Sequence, residues 1–379
     1  MLGIYLHIPF CAAICNYCNF NRGLFDGPLK ARYVEALIGE IEAVGGAERP
    51  GRAPDAADTI FFGGGTPSLL SGDDVARILD ACRRTFSVSA DVEVTLEANP
   101  ETVTLDSLRA FRRAGVNRLS VGVQSFKNDE LRRLARAHDV NRATAALQDA
   151  RTAGFDNVSL DLMMWLPGQQ VDEWLESVDA ATAVGPDHVS LYMLEVYPNA
   201  PLRDEMARRA WSQAPDDDVA AMYVAGMERF EAAGFMQYEI SNVARPGRQA
   251  RHNLKYWTDG EWHGFGCGAH STRRGNRWKN VASTDEYIDR IGHGRSPIVE
   301  KRCLTTDERL GDALFTGLRL LDGVDVRAVN ARYGADVWCR FGADLEPFIE
   351  LGLLEVTQDR WRLTRQGLLL AHEVMAVFV

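Results

Sequence analysis

Cys11, Cys15 and Cys18 stand at C-x3-C-x2-C spacing directly after an apolar run. Closely spaced thiolates hold iron–sulfur clusters, which usually take four cysteine ligands. Three ligands on a four-iron cluster leave one iron open, and an open iron can bind a second molecule. Two other chemistries compete. Zinc wants four ligands close together, and the nearest extra candidate, His7, lies four residues before Cys11 on the presumed strand. A disulfide beside one free thiol is the plainest reading. The chain has 7 cysteines, and an odd number argues against a disulfide framework and for a reducing compartment. The ranking is therefore cluster, then zinc, then disulfide.

Other polar residues could share the chemistry. Gly63-Gly64-Gly65-Thr66-Pro67 would let a ligand approach the backbone, since no Cβ intervenes. It is not a Walker A loop, because no Gly-Lys-Ser/Thr follows. Glu97 offers a carboxylate to an ammonium or to hydroxyls, Gln124 offers an amide, and Arg136 offers a partner for a carboxylate. The competing readings are a helix cap, a turn residue and a surface arginine beside Arg132 and Arg133. Asp161 lies in an otherwise apolar run, and a buried acid needs a partner or a function.

These residues need elements to position them. Candidate strands are 3–8, 59–62, 92–97, 118–123, 158–163 and 188–194. Helical patterns fall between them at 28–44, 73–85, 105–114, 142–153 and 171–183, with Gly115 and Gly154 as stop signals. Alternating strands and helices imply βαβ units around a parallel sheet. Six units make a partial (β/α)6 barrel, short of the full eight. The cysteine loop, the glycine run, Glu97 and Gln124 all fall at strand C-terminal ends, and Asp161 falls late in its strand. That rim is where parallel α/β barrels place their chemistry.

A helix is expected from Pro215 to Gly234, less regular structure over 240–300, and a surface loop over 45–54. From Leu304 onward, two or three helices precede a hairpin of 353–356 and 361–364, which reads as a small winged-helix-like α+β module. The expected domains are a barrel over 1–235, a connecting region over 236–300 and the C-terminal module over 301–379.

Composition narrows the function classes. At 379 residues and 46% hydrophobic content, the chain can bury a sizeable core. A net charge of −11 argues against non-specific nucleic-acid binding, and residues 301–379 hold 10 Lys+Arg against 12 Asp+Glu. No apolar run is long enough for a transmembrane helix, and the first residues lack a signal-peptide pattern, so the cytoplasm is expected. Peripheral membrane contact stays open.

Together, Tyr5-x-His7-x-Pro9-Phe10-Cys11, the spaced cysteines and Gly63-Gly64-Gly65-Thr66-Pro67 resemble the radical S-adenosylmethionine superfamily. Tyr5, Glu97, Gln124, Arg136 and Asp161 narrow the likeness to the oxygen-independent coproporphyrinogen III dehydrogenases and the related haem chaperones. The likeness runs from Leu2 to about Trp361. It implies that Cys11, Cys15 and Cys18 hold a [4Fe–4S] cluster whose open iron is chelated by S-adenosylmethionine. It implies that Gly64 and Glu97 line that cofactor's site and that Tyr5 packs against it. Tyr17, Gly65, Thr66, Gln124, Arg136 and Asp161 match positions that bind a second S-adenosylmethionine in the dehydrogenases.

Three departures favour the chaperones. The dehydrogenases carry a fourth cysteine where this chain has Phe20. They also carry a long N-terminal arm, whereas this chain starts ten residues before Cys11. His252-Asn253-Leu254-Lys255-Tyr256-Trp257 fits the H-N-x-x-Y-W motif of the chaperones. Histidine is a common axial ligand of haem iron, Tyr256 and Trp257 offer flat faces, and Arg245, Arg248, Arg251 and Lys255 could pair with propionates. The competing reading is a surface loop with a packed aromatic pair. His270 and Cys267, in Gly264–Ser271, are further candidate ligands. Cys82, Cys303 and Cys339 read as packing residues. The expected function is delivery of haem to a recipient, a respiratory haem enzyme for instance, with an electron donor serving the cluster. The alternative is oxidative decarboxylation of coproporphyrinogen III.

Overall fold

The computed structural model describes residues 1–47 and 53–379. Six parallel strands lie side by side in chain order: β1 (Leu2–Ile8), β2 (Ala56–Gly64), β3 (Ser87–Ala98), β4 (Arg118–Gln124), β5 (Val158–Met164) and β6 (His188–Met193). Their near-continuous burial is what a parallel sheet covered by helices requires. The helices start and stop where local chemistry directs. Ser71 and Thr104 form capping boxes ahead of Gly72–Thr85 and Leu105–Ala114, and Gly115 closes the latter in the left-handed region at φ 116°.

The region expected to be less regular, 240–300, instead holds or begins five further strands, and a sixth lies just before it. These are β7 (Met236–Glu239), β8 (Asn242–Ala244), β9 (Trp262–Phe265), β10 (His270–Arg273), β11 (Asn276–Asn280) and β12 (Ile298–Cys303). β9 pairs with β1 in parallel and adds a seventh parallel strand. The others are antiparallel, and the sheet runs β12-β11-β10-β9-β1-β2-β3-β4-β5-β6-β8-β7 among the described residues. Strands of three to six residues with polar faces carry too little alternation to read from sequence. The sheet is open, with its ends at β12 and β7.

The loop expected over 45–54 is replaced at its start by the helix Gly27–Ala47, and residues 48–52 lie outside the described residues. Near the C-terminus, helices Thr306–Gly317, Val326–Tyr333 and Val337–Glu350 precede the Leu354–Val356/Arg360–Leu363 hairpin. Val324–Asp325 adds a third strand, which completes a winged-helix order. Leu314, Val337, Leu345 and Trp361 centre its separate core. Cys82 and Cys267 are buried, as packing residues are. Cys303 and Cys339 are exposed, so the packing role does not hold for them: one ends the edge strand β12 and the other lies on the outer face of a helix.

Candidate functional site at the barrel rim

A cleft of about 390 Å³ opens at the C-terminal ends of the strands. Cys11, Cys15, Cys18, Tyr17, Gly64, Gly65, Thr66, Glu97, Gln124, Arg136 and Asp161 all line it. Tyr5 and His252 do not; they lie in the barrel beneath.

The cysteines are free thiols that share one cleft, and two of them have donors aimed at sulfur. The Thr66 hydroxyl donates to Cys11 Sγ at 3.6 Å and Arg136 Nη1 donates to Cys15 Sγ at 3.3 Å. Asn99 joins these two donors: its Nδ2 donates to Thr66 Oγ1 at 3.0 Å, and its Oδ1 accepts from Arg136 Nη2 at 2.7 Å. Burial pushes the Cys11 thiol up, and the Thr66 hydrogen bond partly opposes it. Burial works against the charge on Arg136, yet Tyr17, Cys15 and Glu101 together drive its pKa up. A fixed cation beside thiolates suits a ligand set that must stay deprotonated. Among the described residues no three His, Cys, Asp or Glu side chains are grouped tightly enough for a single ion. A four-iron cluster differs, because each thiolate stands on its own iron.

The cofactor side of the cleft is also shaped for a close ligand. Gly64 has φ 114°, and a Cβ there would meet the His7 ring at 2.6 Å. Gly64 N–H donates to Glu97 Oε2 at 3.2 Å. Burial, then the neighbouring Asp161, push Glu97 up to about 8. Burial pushes Asp161 up to about 6, although the Ser120 hydroxyl donates to its Oδ1 at 3.2 Å. Gln124 (φ 68°) and Trp165 (φ 65°) end β4 and the turn after β5 in the left-handed region, and Ala135 (φ 52°) presents Arg136. Such residues cost on the order of 1–3 kcal/mol each and cluster where backbone must be aimed.

Beneath the rim, Tyr5 stacks on Phe61 at 6.2 Å and Phe61 stacks on His252 at 5.2 Å. His252 begins the helix Arg251–Trp257 and is 1% exposed. Its Nδ1 is hydrogen-bonded to Thr59 Oγ1 at 2.8 Å and its Nε2 to the Tyr256 hydroxyl at 2.9 Å. Burial, helped by Lys255, lowers its pKa to about 3, so the ring is neutral. The surrounding groups are committed too. Glu93 accepts from the backbone N–H groups of Arg251 and His252, and Lys255 pairs with Asp58 at 2.6 Å. Tyr256 packs edge-on against Trp262 at 4.7 Å, and Arg319 covers Trp257 at 4.3 Å. Arg245, Arg248 and Arg251 face Pro186 O, Asp156 and Asp58 respectively. In this conformation both ring nitrogens of His252 are hydrogen-bonded, so an iron at His252 would have to displace Thr59 or Tyr256. His270 is exposed on β10, and Cys267 is buried against Asn21 and Thr284 rather than lining the cleft.

Comparison with known proteins fits this geometry. Residues 5–181 match the radical SAM superfamily and residues 304–370 the HemN C-terminal domain. The Bacillus subtilis (strain 168) haem chaperone HemW is 37% identical over 380 residues, covering 100% of this chain and 99% of that protein. The Escherichia coli (strain K12) haem chaperone HemW is 35% identical over 390 residues, covering 100% and 98%. This chain belongs to the HemW family of radical SAM proteins. A mitochondrial relative from Bos taurus, radical S-adenosyl methionine domain-containing protein 1, is 41% identical, covering 96% of this chain and 84% of its own. The solved structure of Escherichia coli coproporphyrinogen III oxidase (HemN) superposes with TM-score 0.86 over 100% of this chain and 89% of that one. At 23% identity that likeness is one of fold. Radical SAM membership implies a [4Fe–4S] cluster and S-adenosylmethionine, and the thiol set, its donors and the Gly64 cradle fit both.

Sequence reasoning missed three residues. Asn99 was visible only as the residue before Pro100, with no sign that it bridges two thiol donors. Glu93 lies in the strand expected over 92–97, whose pattern gives no sign that it accepts from the start of a distant helix. Arg118, 2% exposed, opens the strand expected over 118–123, whose pattern gives no sign of that burial.

Proposed function

We propose that this chain binds haem and passes it to recipient haem proteins, with a [4Fe–4S] cluster and S-adenosylmethionine held at the barrel rim. Full-length identity of 37% to a protein named a haem chaperone carries this reading. In it Cys11, Cys15 and Cys18 hold the cluster. The Gly64 backbone and Glu97 receive the cofactor's amino acid end, with Tyr5 packed below. Tyr17, Gly65, Thr66, Gln124, Arg136 and Asp161 serve a second cofactor molecule or the approach to the first. When bound, the cluster supplies an electron to the sulfonium, and an electron donor must replenish it. The chain's own part is to hold thiolates charged through Thr66 and Arg136 and to keep water from the cleft.

The haem is assigned to the cleft's mouth. Phe20 (67% exposed), Tyr192 (49%) and Met193 (48%) line that opening together with Tyr197. Exposed apolar side chains gathered at one opening mark a binding surface, and flat aromatic faces suit a porphyrin. Cytoplasmic location, recipients among respiratory haem enzymes and the absence of nucleic-acid partners belong to the same proposal; among the described residues no helix is long and apolar enough to cross a membrane.

The test is an anaerobic haem titration of the reconstituted protein, followed in the Soret region, beside a coproporphyrinogen III turnover assay. Saturable haem binding without porphyrinogen consumption is expected. Consumption that depends on S-adenosylmethionine, with no saturable haem binding, would replace the chaperone reading with the dehydrogenase one.

A further inference from the structure

Arg118 opens β4 and is almost wholly buried, yet among the described residues no hydrogen bond or ion pair reaches its guanidinium, and its Nε has no partner. A buried unpaired cation is expensive, so something must compensate it. Register locates that compensation. Arg118 pairs with Thr95 on β3, and the next position on the same face of β4, Ser120, pairs with Glu97 and donates to Asp161. Arg118 therefore lies one step below the serine that separates the two cleft acids.

The other groups around it are already satisfied. Glu93 on β3 accepts two backbone N–H groups. His188 on β6 is held by Ser159 and by Tyr238 of β7, and His252 by Thr59 and Tyr256. Tyr5 is bonded to His7, and Tyr192 is a neutral phenol. Arg136 is committed to Asn99, Gly122 and Cys15. Glu97 and Asp161 are the acids on which the charge of Arg118 acts.

We propose that Arg118 is a positioning residue: it is the counter-charge that favours the ionised forms of Glu97 and Asp161 beneath the bound S-adenosylmethionine. This rests on the cofactor reading given above. Two carboxylates in one hollow repel each other and hold on to protons, and a cation below them opposes this. The cofactor brings a sulfonium and an amino group whose N–H bonds need acceptors, so it binds best to the ionised pair. With Glu97 at about 8 and Asp161 at about 6, affinity rises with pH through that window.

The experiment is calorimetric titration of the cluster-loaded protein with S-adenosylmethionine from pH 6 to 9. Arg118→Gln is expected to move the rise in affinity up by about one pH unit or more, and to weaken binding about tenfold at pH 7. Arg118→Lys should restore most of both, which a packing defect would not allow. Asp161→Asn, with Arg118 left in place, should move the rise down, because one carboxylate then has the counter-charge to itself. A pH profile unchanged in Arg118→Gln and Asp161→Asn, while the wild type binds the cofactor, overturns the role of Arg118 alone. Wild-type protein that binds no S-adenosylmethionine overturns the cofactor reading as well.

Discussion

The rim and the floor of this barrel are both polar and both hydrogen-bonded, but the rim lines an open cleft and the floor is buried beneath it. At the rim, Cys11, Cys15 and Cys18 share a cleft with donors aimed at two of the sulfurs, and Gly64 lines the same cleft. On the floor, His252, Glu93, Thr59 and Tyr256 are equally polar yet already bonded to one another. A histidine flanked by aromatic and basic residues reads as a ligand in sequence. In the folded chain the same residues form a helix start that seals the barrel and links it, through Trp257 and Arg319, to the C-terminal module. Access to an open cleft separates the two regions, and residue type does not.

The largest expected effect lies at the rim. Cys15→Ala should abolish the brown four-iron chromophore after anaerobic reconstitution. A mutant with full iron and sulfide content would remove the rim from the ligand set. Next comes the floor. His252→Ala deletes a stacked ring and leaves Thr59 and Tyr256 without their partner, so stability should fall by about 3 kcal/mol, read as a drop of several degrees in Tm, with cluster content unchanged. Equal stability would show that the floor is looser than its hydrogen bonds imply.

A subtler contrast concerns protons. Glu97 has a folded-state pKa of about 8, above its unfolded value, so the folded state holds a proton that the unfolded state has lost. Its burial therefore costs nothing below the unfolded pKa and costs increasingly more as pH rises toward 8. Glu97→Gln should stabilise the cofactor-free protein by on the order of 2 kcal/mol at pH 8 and by little at pH 4.5, measured by denaturant titration at both values. A gain independent of pH would mean that Glu97 is ionised throughout. The smallest effect is expected from Arg248→Gln with Arg251→Gln: partly exposed ion pairs contribute about 0–1 kcal/mol, and haem affinity should change less than twofold. A tenfold loss of haem would mean that these arginines reach a propionate.

Much of the rim was legible in sequence because its residues lie where a short motif and a strand end coincide. The period of the parallel strands predicted the partial barrel from 3–8 to 188–194, and position alone gathered Glu97, Gln124 and Asp161. The rest depended on contacts between distant segments. Asn99 gains its role only when Thr66 and Arg136 are brought together. His252 loses its free nitrogens only when Thr59 comes within 2.8 Å, 193 residues away in sequence. The strands β7 to β12 are too short and too polar for their pattern to stand out, and β9 joins β1 across more than 250 residues.

The contrast between rim and floor is tested most directly by haem titration of two variants, followed in the Soret region and by electron paramagnetic resonance. His252→Gln keeps hydrogen-bonding capacity on the floor, and Tyr192→Ala with Met193→Ala strips the mouth. Expected is an unchanged iron spectrum in His252→Gln and haem affinity at least tenfold weaker in the mouth variant. Loss of the spectrum in His252→Gln with binding intact in the mouth variant would contradict this and place the iron on a floor that opens.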